Sequence, residues 1–462
     1  MLLFFILLYF LVNIGIGIWA SRRVHNTNDY LLAGRSLPFP VATAVVFATW
    51  FGSETVLGAS AEFAEKGILG IIEDPFGASL CLILIGLFFA KKLYRLNLLT
   101  FGDFYRVRYN RPAELLASFF LVISYFGWVA AQLVALGIVL NIVTGISITT
   151  GILIGFAVVV VYTFMGGMWS VSVTDFLQTI LIIGGLMFVC ISITTKVPLS
   201  TIVNTMPTGF FNFVPTGKVG LQDWFNYLAM WITIGLGSIP QQDVFQRVMS
   251  SKSEKVAVYA SFAAAGLYLT VALMPLLLAL YAKILYPELL NRDSQLLLPN
   301  LVMHQASLWI KVLFFGALLS AIMSTASGAI LAPAAILSEN ILRPFYPHLT
   351  DIKLLQLSRI SVLIVAIISL GFALMRSNIY ELVSESSALS LVSLFVPMVA
   401  GIYIKRTSSG AAILSMVLGM GIWLAALGLA TAVNPLLYGL VASVMGLILG
   451  FYIFPQRATV NI

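Results

Sequence analysis

Residues 41–63 read VATAVVFATWFGSETVLGASAEF, an apolar stretch interrupted by Gly52, Ser53 and Glu54. The stretch is long enough to cross a bilayer, but a clean span would not carry those three residues at its centre. A second stretch, 224–248, reads WFNYLAMWITIGLGSIPQQDVFQRV, with Gly235, Gly237, Ser238 and Pro240 grouped mid-segment. Glycine and proline are tolerated inside membrane helices when neighbours or water satisfy the backbone groups they free. Two interrupted spans at corresponding places in two halves of a chain point to a midplane binding site.

Everything around these segments reads as membrane helix. Of 462 residues 60% are hydrophobic and only 9% charged, with a mean hydropathy of +1.02. Soluble domains are roughly a quarter charged, so a water-soluble globule is excluded. Continuous apolar runs such as LLFFILLYFLVNIGIGIWA (2–20) lack the alternation of a spanning barrel strand. The expected fold class is therefore an all-α polytopic membrane protein with about 13 transmembrane helices. They fall near 2–20, 38–63, 70–90, 113–141, 149–165, 168–194, 222–246, 256–282, 308–338, 355–375, 380–404, 409–430 and 434–454. Such spans leave short loops and no room for a soluble catalytic or DNA-reading domain.

Charge placement gives the orientation. With the N-terminus outside and the C-terminus cytoplasmic, 18 of the 25 lysines and arginines fall on the inner side and 7 on the outer, the bias the positive-inside rule expects. The first apolar run lacks a basic n-region and its arginines follow it, so it reads as a retained span rather than a cleaved signal. Cys81 and Cys190, both inside apolar runs, argue against a disulfide framework or a thiolate metal site.

Ionisable groups inside spans are expensive and read as functional. Here they are Glu54 at the first interruption, Glu73 and Asp74 before Pro75, Asp175 in GGMWSVSVTDFLQT, and Asp243 four residues before Arg247. Asp243 and Arg247 read either as an inner gate or as an interfacial i, i+4 pair. In ALLSAIMSTASGAILAPAA (317–335), one helical turn holds Ala321, Ser324 and Thr325. The Ala321 carbonyl and the two hydroxyls there offer neutral oxygens to a small hard cation. The same hydroxyls also suit back-bonding to the preceding turn or a helix contact.

The segments DYLLAGRSLP (29–38), TWFGSETVLGASAEFAEKG (49–67), YTFMGGMWSVSVTDFLQ (162–178), IPQQDVFQRVMSSKS (239–253) and SAIMSTASGAILAPAA (320–335) together resemble the sodium:solute symporter family. The resemblance runs from Asn28 to past Lys405. It implies a LeuT-type 5+5 inverted repeat, with one span before and two after. The division is residues 1–36 (extra span and loop), 37–195 (first repeat, broken near 50–55), 196–221 (outer loop), 222–408 (second repeat, broken near 235–241) and 409–462 (two final spans). It also implies sodium-coupled uptake of a small organic solute by alternating access at a bacterial inner membrane. The partners are then lipid, sodium and solute, with no organic cofactor, no obligate protein partner and no nucleic acid.

Carried over by position, the resemblance implies a sodium site made by the backbone carbonyls of Ala48 and Phe51 with Ala321, Ser324 and Thr325. A second sodium in some relatives matches Asp175 and Ser327, but the last matching position is Gly328, which has no hydroxyl, so one sodium is expected. Solute candidates are Thr49, Trp50, Glu54, Thr55, Asp74, Trp128, Gln132, Gln241 and Gln242, with Trp231 nearby on the same span. Asp74 matches an acid of sugar-transporting relatives. Trp50 and Trp128 match two aromatic positions of a choline-transporting branch, whose third tryptophan is Gln241 here. The solute is expected to be an amino acid or a quaternary or cationic amine, with a choline-like transporter as the alternative.

Three other classes fit less well. An enzyme would need a nucleophile–histidine pair, yet His25, His304 and His348 all lie in or near loops. A channel would need a continuous lined pore, and a sensor would need a signalling domain.

Overall fold

The computed structural model describes residues 1–455 apart from 196, 197, 292, 347, 376, 377 and 430. Lys196, Arg292, Arg376 and Arg457, which enter the charge census, lie outside the described residues. Helices follow one another throughout: α1 (Leu2–Ser21), α2 (Phe39–Trp50), α3 (Ala59–Lys66), α4 (Ile68–Leu96), α5 (Phe101–Arg108), α6 (Arg111–Thr144), α7 (Ile148–Thr194), α8 (Leu221–Gly237), α9 (Gln242–Ser250), α10 (Glu254–Leu285), α11 (Leu308–Ile336), α12 (Asp351–Met375), α13 (Ile379–Tyr403), α14 (Ser409–Gly428) and α15 (Pro435–Ile453). Among the described residues ten helices are long and apolar enough to cross a membrane, and α2 with α3 forms a further span bent by 54°.

α7 has 47 residues, enough for two crossings, and is broken by a kink at Gly167 (φ 51°, ψ −140°). The kink strips the preceding carbonyls of their helical donors. Tyr30 from the short helix Thr27–Leu32 replaces them, its hydroxyl donating to Thr163 O (3.2 Å) and Phe164 O (3.3 Å). Arg359 from α12 donates to Met165 O at 3.3 Å. A Cβ at residue 167 would meet the Tyr30 carbonyl at 2.5 Å, so both the dihedral and the packing require glycine.

α11 threads the centre of the bundle and is buried from Phe314 to Ile336, apart from Gly316. It packs along α7 and against α2 and α6. α14 and α15 lie against each other at the periphery and touch the π-helical stretch Leu391–Phe395 of α13.

A polar knot joins several helix ends on the arginine-rich side. Thr100 and Asp103 form a reciprocal capping box at the start of α5. Thr100 Oγ1 donates to Asn340 Oδ1 (2.7 Å), and Asn340 Nδ2 donates to Asp103 Oδ1 (3.0 Å) and Glu114 Oε1 (2.8 Å). Arg111 pairs with Glu114 at 2.6 Å. Asn340 is fully buried in the π-helical turn Leu337–Leu342 that extends α11. The knot thereby ties α5 and α6 to the helix bearing Ser324 and Thr325.

Gly167→Ala is expected to lower the melting temperature of the detergent-purified protein by several degrees, since a left-handed non-glycine residue costs roughly 1–2 kcal/mol before any clash. Tyr30→Phe is expected to destabilise by about 1–2 kcal/mol, the cost of leaving buried acceptors unmade. Thermal unfolding followed by tryptophan fluorescence checks both.

Candidate transport site

The first interruption is a true break. Phe51 N–H still donates to Phe47 O (2.9 Å), and the ladder resumes only with Val56 N–H on Gly52 O (3.3 Å). Between them Phe51 adopts φ −87°, ψ 78°, and among the described residues no backbone N–H pairs with the Ala48 or Phe51 carbonyl. Ser53 N–H turns instead to Gln132 Oε1 on α6 at 3.0 Å.

The freed Ala48 carbonyl meets α11. Ser324 Oγ donates to it at 2.9 Å and Thr325 Oγ1 at 3.2 Å. Ala48, Phe51, Ala321, Ser324 and Thr325 are all fully buried. The structure therefore gathers a broken-helix carbonyl and two hydroxyls, donors that suit a hard monovalent cation once the hydroxyl hydrogens rotate away. Asp175 on α7 stands at the edge, its Oδ1 2.5 Å from Ser324 Oγ. Its Oδ2 is buried without a partner.

The residues matched to a second sodium are arranged differently. Ser327 Oγ bonds back to Ser324 O at 2.9 Å. A Cβ at Gly328 would collide with the Arg247 guanidinium, so that position gives room to an arginine.

Beside the break lies a cavity of about 20 Å³ lined by Trp50, Glu54, Asp74, Trp128, Gln241 and Tyr268, with Ser238 and Ser387. That volume holds a water molecule but no organic solute, so the lining must rearrange for anything larger to enter. Asp74 lies inside the irregular stretch Ile72–Gly77 of α4, at φ −138°, ψ 121°. It accepts from Thr55 Oγ1 (2.8 Å) and Tyr268 OH (2.6 Å). Tyr268 also reaches Trp50 O at 3.1 Å. Glu54 accepts from Trp128 Nε1 (3.1 Å) and Gln132 Nε2 (2.7 Å). Trp50 Nε1 donates to Asp243 Oδ2 at 2.9 Å, and Tyr125 holds the other oxygen of Asp243. Among the described residues neither cavity carboxylate takes part in an ion pair.

Five of the nine sequence candidates, Trp50, Glu54, Asp74, Trp128 and Gln241, thus line one cavity. Thr55 and Gln132 stand one hydrogen bond behind it. Thr49 lies below, donating to Val45 O (2.6 Å) and accepting from Arg247 Nε (3.0 Å). Gln242 faces away and accepts the Phe101 N–H of α5 at 2.7 Å. Trp231 packs on Phe213 and Tyr227 outside the cavity. Asp243 and Arg247 make no ion pair with each other, because Trp50 and Tyr125 engage the acid while Thr49 and Gln246 engage the guanidinium. The sequence reading passed over Tyr268, whose signal is a phenol in the middle of an apolar span, and Ser387 in the serine-rich run 384–390.

The chain is similar to known proteins along most of its length. The sodium:solute symporter family model matches residues 30–419. The chain is 26% identical over 416 residues to the high-affinity choline transporter 1 of Drosophila melanogaster, covering 87% of this chain and 66% of that protein, just under two thirds of its length. It is also 26% identical to the osmoregulated proline transporter OpuE of Bacillus subtilis, covering 95% and 92%, and 25% identical to the sodium/glucose cotransporter of Vibrio parahaemolyticus, covering 89% and 82%. Among solved structures, a Na+-coupled sialic acid symporter in a substrate-bound outward-open state superposes with a TM-score of 0.84 at 20% identity. That match covers 100% of this chain and 99% of the other, and shows that the two share a fold.

Replacing Ser324 and Thr325 together by alanine is expected to abolish sodium-specific thermal stabilisation, measured in NaCl against KCl at equal ionic strength. Sodium at about 100 times its Kd stabilises by about 2.7 kcal/mol. A double variant that keeps the wild-type sodium shift removes these hydroxyls from the ion's shell.

Proposed function

The chain belongs to the sodium:solute symporter family, and we propose that it takes up a small organic cation, an amine, together with one sodium ion by alternating access. The observation that carries the choice of solute is the pairing of Glu54 and Asp74 on one buried cavity with Trp50, Trp128 and Tyr268. Among the described residues no lysine or arginine lines that cavity. Two buried carboxylates satisfied only by neutral donors favour a positively charged guest, and indole faces add cation–π attraction. A zwitterion would bring a carboxylate with no cationic group to receive it. A choline-like solute is the second reading, supported by the choline-transporting relatives. Gln241, where that branch has a tryptophan, removes one aromatic wall and supplies an amide instead.

The transport cycle follows from the breaks. The turns Phe51–Ser53 and Ser238–Gln241 interrupt α2/α3 and α8/α9 on either side of the cavity. We assign residues 37–195 and 222–408 to two inverted repeats that rock about this point. The N-terminus is placed outside and the C-terminus in the cytoplasm of a bacterial inner membrane, in line with the arginine and lysine bias. This is a carrier's layout rather than an enzyme's.

One sodium suffices energetically. A charge moving through ~100 mV gains about 2.3 kcal/mol, and a tenfold gradient adds about 1.4 kcal/mol. Together they concentrate a neutral solute several hundred-fold, and a cationic solute gains from the potential as well.

A thermal-shift panel of primary, methylated and quaternary amines, amino acids and sugars, each in sodium and in potassium, tests the solute class. Amines are expected to stabilise in sodium. Stabilisation by a sugar and by no amine would overturn the reading. For the amine that scores best, Asp74→Asn is expected to weaken binding about 30-fold, which corresponds to about 2 kcal/mol, and to leave the sodium midpoint within about twofold.

A further inference from the structure

We propose that Glu54 couples sodium to solute by lending one carboxylate to both sites. The inference rests on the sodium and amine readings above and adds the residue that links them. Glu54 lines the cavity beside Trp128, whose Nε1 donates to Glu54 Oε1. Oε2 lies near the cation site. A Cβ built on Gly52 would meet Glu54 Oε2 and Thr325 Oγ1 at 2.6 Å each. These two oxygens are therefore no farther apart than twice that distance, and only the missing side chain of Gly52 keeps the space between them open.

Three features fit a bridging carboxylate. Both oxygens of Glu54 accept from N–H donors, contacts that favour the carboxylate form. Gln132 grips Oε2 with its amide nitrogen and the broken backbone at Ser53 with its amide oxygen. The orientation of the carboxylate is thus fixed to the same turn that frees the Ala48 carbonyl. Among the described residues no lysine or arginine neutralises it, since none of the ion pairs includes Glu54.

The physical need is clear. Sodium and an amine in adjoining buried sites repel each other, and weak screening inside the protein makes that repulsion oppose joint binding. A negative charge between them reverses the sign, so each cation helps the other. Asp175 also contacts the sodium site through Ser324, but it does not line the cavity. Asp74 lines the cavity but bonds Thr55 and Tyr268 rather than Ser324 or Thr325. Glu54 alone among these three carboxylates faces both ways.

The test is a sodium titration of purified protein without solute, at constant ionic strength with potassium, read by thermal shift. Glu54→Gln is expected to raise the sodium midpoint about tenfold or more, whereas Asp74→Asn leaves it within about twofold. Glu54→Asp withdraws the charge by one methylene and is expected to raise the midpoint about threefold. It serves as the second variant should Glu54→Gln not fold as judged by size exclusion. With the amine identified by the panel, sodium is expected to tighten solute binding in the wild type and not in Glu54→Gln. A wild-type sodium midpoint in Glu54→Gln or Glu54→Asp overturns the bridge while leaving the amine reading intact. Loss of the amine reading in the panel leaves the solute-free sodium result standing by itself.

Discussion

The molecule depends on one unsatisfied group. A bilayer interior offers no water to a carbonyl that has lost its helical partner, yet the chain breaks a central helix and leaves the Ala48 carbonyl to the hydroxyls of Ser324 and Thr325. Every neighbouring element serves that break. Gln132 takes the stray Ser53 N–H, Tyr268 takes Trp50 O, and α11 stays buried so that its hydroxyls meet nothing but protein. The same solution recurs at Gly167, where Tyr30 supplies the donors that a turned helix has lost. At Ala48 and at the turn before Gly167 alike, a side chain from another helix replaces the missing partner.

Charge is handled in a related way. Glu54, Asp74 and Asp243 are buried and held by indole, amide and phenol donors rather than by cations. Neutral donors stabilise a carboxylate without cancelling its field. Those groups remain able to attract a positive guest, which an ion pair would prevent. Arg247 is likewise bound by Thr49 and Gln246 and kept apart from Asp243.

The fold class and the breaks were legible because polar or kinking residues inside apolar runs are costly and so stand out. Glu54, Asp74 and Asp175 announced themselves in that way. Side-chain direction did not. Gln241 and Gln242 are adjacent, but Gln241 is extended (φ −86°, ψ 149°) where α9 begins, and the turn sends one toward the cavity and the other to Phe101. The i, i+4 spacing of Asp243 and Arg247 suggested mutual contact, yet partners on α2 and α6 outcompete it. Tyr268 sits in an apolar helix where a phenol reads as core, and only the tertiary arrangement brings its hydroxyl to Asp74.

The small helix α5 has a mechanical meaning that neither binding site has. Through Phe101 it holds the start of α9, and through Thr100 and Asp103 it holds the end of α11. A helix bonded at once to both partners works as a crossbar. Moving the start of α9 away from the end of α11 therefore costs at least one of these buried bonds, so the two ends are held in step.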